Sequence, residues 1–126
     1  PIGPAGPNEN NKFLNAYRLL RLLSLRDYCL HIEVADVKGE CPIYKKGDTI
    51  FVRKFFIDTN NSSDVCIHAF SAMSTLLSAF IHGCSARELG IGREDNIGFI
   101  QCPDPGPPRT CGGTVTFKLV RRLLEV

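Results

Sequence analysis

Residues 64–82 read DVCIHAFSAMSTLLSAFIH, and the apolar side chains in this stretch recur at helical spacing. One stripe is apolar, whereas His68, Thr75 and most of the serines fall off it. The stripe consists of Cys66, Phe70, Met73, Leu77, Phe80 and Ile81. The spacing therefore predicts a long amphipathic helix that follows the polar loop at residues 59–63 and ends at Gly83 as its C-cap.

Strand-like segments flank this helix in two pairs. Residues 28–37 alternate between apolar and polar, and residues 49–57 are rich in β-branched and aromatic side chains. Residues 96–102 and 114–121 predict a third and a fourth strand, the last with Val115, Phe117 and Leu119 facing inward. The order predicts an α+β fold, with a small antiparallel sheet of about four strands and one long helix packed on a face.

An N-terminal region precedes this core. Residues 1–11, PIGPAGPNENN, predict an extended Pro/Gly-rich arm, and residues 12–25 predict an N-terminal helix with a broad apolar stripe. The length favours a single α+β domain over residues 12–126, with its core at 28–122. The helix is expected to pack on its own domain, and the alternative is a docking helix. We expect a homo-oligomer or a protein partner to bind through residues 1–25.

Composition excludes several classes of function. A net charge of +2 is too small to indicate nucleic acid as the main partner. No apolar run approaches the ~20 residues of a membrane-spanning helix, so we expect no transmembrane segment. No signal-peptide pattern is visible either.

Six cysteines are the main chemical signal, and no two form a Cys-x-x-Cys pair. Any site that they build must therefore be assembled by the tertiary fold. They are Cys29, Cys41, Cys66, Cys84, Cys102 and Cys111. Cys66 lies at the start of the long helix, where free backbone N–H groups and the helix dipole favour a thiolate. The alternative for Cys66 is a small buried apolar residue.

Cys41 and Cys102 each precede a proline at a strand–loop junction. These junctions could approach the start of the Cys66 helix, which would give an incomplete tetrahedral metal site of three thiols. A fourth ligand could be His68, Asp104, Cys111 or an outside molecule. The cofactor is then an Fe–S cluster or zinc.

An enzyme is the less favoured interpretation. The sequence contains no Gly-x-Ser-x-Gly, no phosphate-binding glycine loop and no His-Glu-x-x-His. Cys66 and His68 are two residues apart, so they cannot share a helix face as a nucleophile and its base.

Several short motifs resemble a cysteine-containing family found mostly in anaerobic bacteria and archaea, whose activity is not established. They are Val37-Lys38-Gly39-Glu40-Cys41-Pro42, Gly47-Asp48, Cys66 with Ala69-Phe70, Cys102-Pro103-Asp104-Pro105 and Val115-Thr116-Phe117-Lys118-Leu119. The resemblance covers roughly residues 30–122 and implies a common site at Cys41, Cys66 and Cys102. This chain has Tyr44 and Lys45 where the family often has a histidine.

The sequence thus favours a small non-catalytic cysteine-rich module that binds a metal or Fe–S cluster, or that acts as a redox thiol protein, in the cytoplasm. The alternative is a self-assembling structural protein with its N-terminal arm on a neighbouring subunit and a disulfide-stabilised core. Disulfides would indicate an extracellular protein.

Overall fold

The computed structural model describes residues 27–124, together with the single residue Asn15. This part of the chain is a five-stranded antiparallel sheet with one α-helix against it. The elements are β1 (Tyr28–Gly39), β2 (Thr49–Arg53), β3 (Phe56–Ile57), a 3-10 turn (Thr59–Asn61), α1 (Ile67–Ile81), β4 (Ile97–Gln101) and β5 (Gly113–Leu123).

The sheet has the strand order β3-β2-β1-β5-β4, so β1 and β5 lie at its centre. Because side chains alternate along a strand, every second residue of β1 and β5 points to the same face. The inward positions are Leu30, Ile32 and Val34 on β1, and Val115, Phe117 and Leu119 on β5, all 2% exposed or less. The inward face predicted for residues 114–121 is confirmed, and β1 shows the alternation predicted for residues 28–37.

Helix α1 covers this face, but its buried stripe differs from the predicted one. Ala69 is 2% exposed and starts the inner stripe, which continues through Met73, Leu77 and Phe80. Phe70, expected to face inward, is 37% exposed. Ala69 belongs to the buried core, and Phe70, the next residue around the helix, therefore points away from that core.

The predicted fold class is wrong in two respects. The expected sheet of about four strands has five, because residues 49–57 form a hairpin and not one strand. Lys54 adopts the left-handed conformation, with φ of 53°, and this reverses the chain so that Phe56 pairs with Arg53. Within residues 27–124 the structure is thus mostly a β-sheet with a single helix, and the predicted combination of a long helix and an N-terminal helix is not shown.

The predictions for the N-terminal region lie outside the described residues. These are the arm at residues 1–11, the helix at 12–25 and the partner contact through 1–25. For the described part of the chain, no helix is both long and apolar enough to cross a membrane.

The sheet and the end of α1 are joined by a buried arginine. Arg121 occupies the next inward position of β5 after Leu119 and is 6% exposed. Its Nη1 donates hydrogen bonds of 2.7 Å to the carbonyl oxygens of both Phe80 and Cys84. The guanidinium also lies 4.4 Å from the ring centroid of Tyr28. A positive charge at the last carbonyls of a helix is favourable because of the helix dipole.

Candidate thiol site

A pocket of about 350 Å³ opens where the loop after β1, the start of α1 and the loop after β4 meet. Its wall includes Cys41, Cys66 and Cys102, together with His68 and Asp104. The other three cysteines do not line it. The structure therefore brings the three predicted thiols to one pocket, and two of the three proposed fourth ligands with them.

Cys41 is held in a tight turn that follows β1. Its Sγ accepts a hydrogen bond from the backbone N–H of Tyr44 at 3.3 Å. The turn is packed closely on the neighbouring strand, since a Cβ added at Gly113 would lie 3.0 Å from the backbone nitrogen of Cys41. The Cys41 sulfur is therefore held in place at the pocket wall.

Cys102 follows β4 and is 9% exposed. Its backbone N–H donates to the carbonyl oxygen of Val115 at 2.9 Å, and its Sγ accepts from the N–H of Val115 at 3.1 Å. At the end of the β4–β5 pair, the sulfur thus accepts a backbone N–H that a carbonyl oxygen of the neighbouring strand would otherwise accept. This arrangement fixes Cys102 Sγ on a rigid strand and gives it an amide donor of its own.

Cys66, which the prediction placed inside the helix, is the N-cap residue of α1 and lies one position before its first turn. Its backbone is extended, with φ of −71° and ψ of 124°, and its side chain makes no capping hydrogen bond. Its carbonyl oxygen instead accepts the first helical hydrogen bond, from Phe70 N at 2.9 Å. The thiol is therefore not used by the helix and lies on the pocket wall beside the helix N-terminus.

Tyr44 links two of these thiols, and the sequence interpretation missed it. Its side chain is 4% exposed and packs edge-on against Phe117, with ring centroids 5.5 Å apart. Its Oη accepts a hydrogen bond from the backbone N–H of Cys66 at 2.7 Å. Burial raises the pKa of the Tyr44 phenol and outweighs the hydrogen bond from Cys66 N–H, which lowers it. The phenol therefore stays neutral and ties the Cys41 turn to the start of α1.

Asp104 lines the pocket, but its carboxylate is hydrogen-bonded to residues of the loop to which it belongs. Oδ1 accepts hydrogen bonds from the backbone N–H of Gly106 at 2.8 Å and from the hydroxyl of Thr110. These bonds, that from Thr110 first, hold the pKa of the Asp104 carboxyl below its ordinary value. The Asp104 backbone carbonyl also accepts from Thr114 Oγ1 at 2.8 Å. Asp104 thus shapes the wall that carries Cys102.

The other two candidates for a fourth ligand differ in position. His68 is the second residue of α1, is exposed and lines the pocket. Cys111 is exposed and is not part of the pocket wall. Of the three predicted fourth ligands, His68 is therefore the one with an uncommitted side chain at the pocket.

The arrangement of the thiols restricts what the pocket can hold. Across residues 27–124, no three His, Cys, Asp or Glu side chains are grouped closely enough to hold one metal ion. All six cysteines are free thiols. Zinc requires its sulfur ligands about 2.3 Å from a single point. An Fe–S cluster instead binds its cysteines at two or more irons, so its ligands are spread over the wall of a cavity.

No family model, curated protein or solved structure matches this chain. The family resemblance therefore stays a prediction, and the function is argued from the pocket.

Proposed function

We propose that the pocket binds an Fe–S cluster through Cys41, Cys66 and Cys102, with His68 as the candidate for the fourth position. The observation that carries the proposal is the meeting of three thiols, distant in sequence, on the wall of one pocket. When bound, such a cluster supplies one-electron redox chemistry. The protein would then be a small non-catalytic redox module.

The surroundings of the sulfurs support this proposal. Two of them accept backbone N–H donors, from Tyr44 and from Val115. Amide hydrogen bonds to ligand sulfurs stabilise their negative charge and are one of the means by which proteins set a cluster's reduction potential. The remaining sulfur, that of Cys66, lies at the positive end of α1.

The pocket wall supports it as well. Apolar groups of Pro42, Ile43, Ala69 and Val115 line much of the space between the thiols. A largely apolar wall limits the access of water to a bound cluster. Ligand thiols must be reduced, so the proposal agrees with the expected cytoplasmic location.

Zinc and a redox dithiol are the alternatives for the same pocket. Zinc would require Cys41, Cys66 and Cys102 to move together onto one point. A disulfide would require two of the three sulfurs, which are free thiols, to come within bonding distance of each other. A cluster requires the smallest movement of the three cysteines, because the cluster itself fills the space between their sulfurs.

The test is purification without oxygen, reconstitution with iron and sulfide, and analysis of bound iron, sulfide and zinc. We expect iron and sulfide in equal amounts with a visible absorption band, and loss of most of the iron in Cys41→Ser, Cys66→Ser and Cys102→Ser. The matched controls are Cys84→Ser and Cys111→Ser, at exposed thiols away from the pocket. Stoichiometric zinc without sulfide, or equal iron loss in the controls, would contradict the proposal.

A further inference from the structure

A second pocket, of about 220 Å³, lies on the sheet near the outer ends of β1, β2 and β5. The strand register places three side chains in one row across these strands. Cys29 of β1 is paired with Arg53 of β2 on one side and with Arg122 of β5 on the other. The row therefore has a thiol at its centre and a guanidinium at each end, and all three residues line the pocket.

The next row on the same face is apolar around a histidine. His31 pairs with Phe51 on β2 and with Val120 on β5. The rings of His31 and Phe51 are stacked, with centroids 4.8 Å apart and an angle of 7° between the planes. His31 Nε2 is buried, and no hydrogen-bond partner for it exists among the described residues. A buried polar atom without a partner is costly, so a bound molecule that supplied a hydrogen bond to Nε2 would be favoured in this pocket.

The two arginines differ in how they are held. Arg53 Nε donates to Asp58 Oδ2 at 3.1 Å, and Asn61 Nδ2 donates to the same oxygen at 2.9 Å. These contacts hold the pKa of the Asp58 carboxyl below its ordinary value, the bond from Asn61 first. They hold the Arg53 guanidinium through its Nε and leave its two terminal nitrogens available to a ligand. Among residues 27–124, Arg122 has no acidic partner.

We propose that this pocket binds a small organic oxyanion, a carboxylate or phosphate group carried on a flat apolar body. The backbones of Arg53 and Arg122 are two strand spacings apart, about 9.5 Å across the strands. An oxyanion between the two side chains can therefore accept hydrogen bonds from both guanidinium groups. The apolar body lies against Val120 and Leu124, and His31 Nε2 forms a hydrogen bond with the ligand. The pocket is smaller than those of drug-sized ligands, which fits a single-ring molecule.

The test uses the full chain at low ionic strength with three probes: benzoate, phenyl phosphate and the neutral benzamide. Binding is followed by calorimetry and by shifts of backbone amide signals. We expect saturable binding of one or both anions, with shifts at residues 29–31, 51–53 and 120–122, and binding of benzamide at least about tenfold weaker. The stronger of the two anions identifies the head group.

Arg122→Gln and Lys118→Gln form a matched pair, because both remove one positive charge from the same face of β5. Lys118 pairs with Glu33 and does not line the pocket. We expect Arg122→Gln to weaken anion binding about tenfold and Lys118→Gln to change it less than about twofold. Equal weakening by both variants would show a general charge effect and overturn the proposal, as would the absence of saturable binding of either anion.

His31→Phe tests the buried nitrogen, because phenylalanine keeps the stack on Phe51 and removes Nε2. We expect a folded protein with an unchanged or raised melting temperature and anion binding several-fold weaker than wild type. Unchanged binding would show that Nε2 forms its hydrogen bond with water and not with the ligand, and would exclude His31 from the proposed site. Cys66→Ser should bind the anion normally, so failure of the cluster proposal and failure of this one are distinguishable.

Discussion

Replacing Arg121 by methionine should be among the most damaging single changes in the described core. Methionine keeps much of the side-chain length but none of the donors. The guanidinium makes five hydrogen bonds to four acceptors, two of them to Asn96 Oδ1 at 2.9 and 3.1 Å. It also lies 4.5 Å from the ring centroid of Phe80.

The magnitude follows from the acceptors that the change leaves behind. The carbonyls of Phe80 and Asp95 keep a second donor each, from Gly83 N and Ala86 N. The carbonyl of Cys84 and Asn96 Oδ1 lose a charged donor, and a hydrogen bond to a charged group contributes about 1.5–3 kcal/mol. Both residues are exposed, so water can replace part of what is lost and the lower end of this range applies. Relief of the buried charge offsets part of this cost. We therefore expect a loss of about 2 kcal/mol in the free energy of unfolding.

Urea unfolding followed by circular dichroism measures this loss. The control is Arg122→Met, the same substitution one residue further along β5, where the side chain is exposed. That variant should change stability by no more than about 0.5 kcal/mol. If Arg121→Met were as stable as wild type, desolvation of the guanidinium would cancel its hydrogen bonds, and the account given for Arg121 would be refuted.

Three further tests use the same unfolding measurement, two of them at the pocket wall and the third at two glycines outside it. Tyr44→Phe removes the acceptor for Cys66 N–H and should cost about 1–2 kcal/mol; no change would mean that water replaces the phenol at once. The lowered pKa of Asp104 adds stability above the ordinary aspartate range, and this is lost as pH falls through the depressed value. Asp104→Asn should therefore flatten the acid side of the stability–pH curve, and an unchanged curve would exclude this carboxylate as a source of it. Gly39→Ala should cost more than Gly47→Ala, because both have positive φ but only a Cβ at Gly39 meets atoms closer than 3 Å; equal costs would show that the backbone conformation alone matters.

Much of the sheet was predictable from side-chain alternation. Leu30, Ile32 and Val34 alternate without interruption, and a half-buried strand requires that pattern. The hairpin at Lys54 was not predictable in the same way, because lysine carries no turn signal and the flanking residues suit a strand. Its left-handed conformation is imposed by the pairing of β3 with β2.

The candidate site shows the same division. The two Cys-Pro junctions and the helix start indicated which thiols could meet, because these features mark the ends of the strands and the beginning of the helix. Tyr44 gave no such signal, since a single tyrosine in a polar loop does not reveal that its hydroxyl reaches Cys66 across the fold. Arg121 continues the inward alternation of β5, but an arginine is seldom buried without partners. The sequence does not reveal the carbonyl oxygens that accept its hydrogen bonds in the fold.

The three thiols of the pocket belong to three distant points of the chain, and this couples ligand binding to folding. An unfolded chain holds these sulfurs far apart, so a ligand that bridges them binds the native state alone. Such a ligand raises the free energy of unfolding in proportion to the logarithm of its concentration above Kd. It also closes two long loops, as a cross-link does. Loss of the ligand would then lower the amount of intact protein in the cell, because the unliganded chain unfolds more often and is degraded.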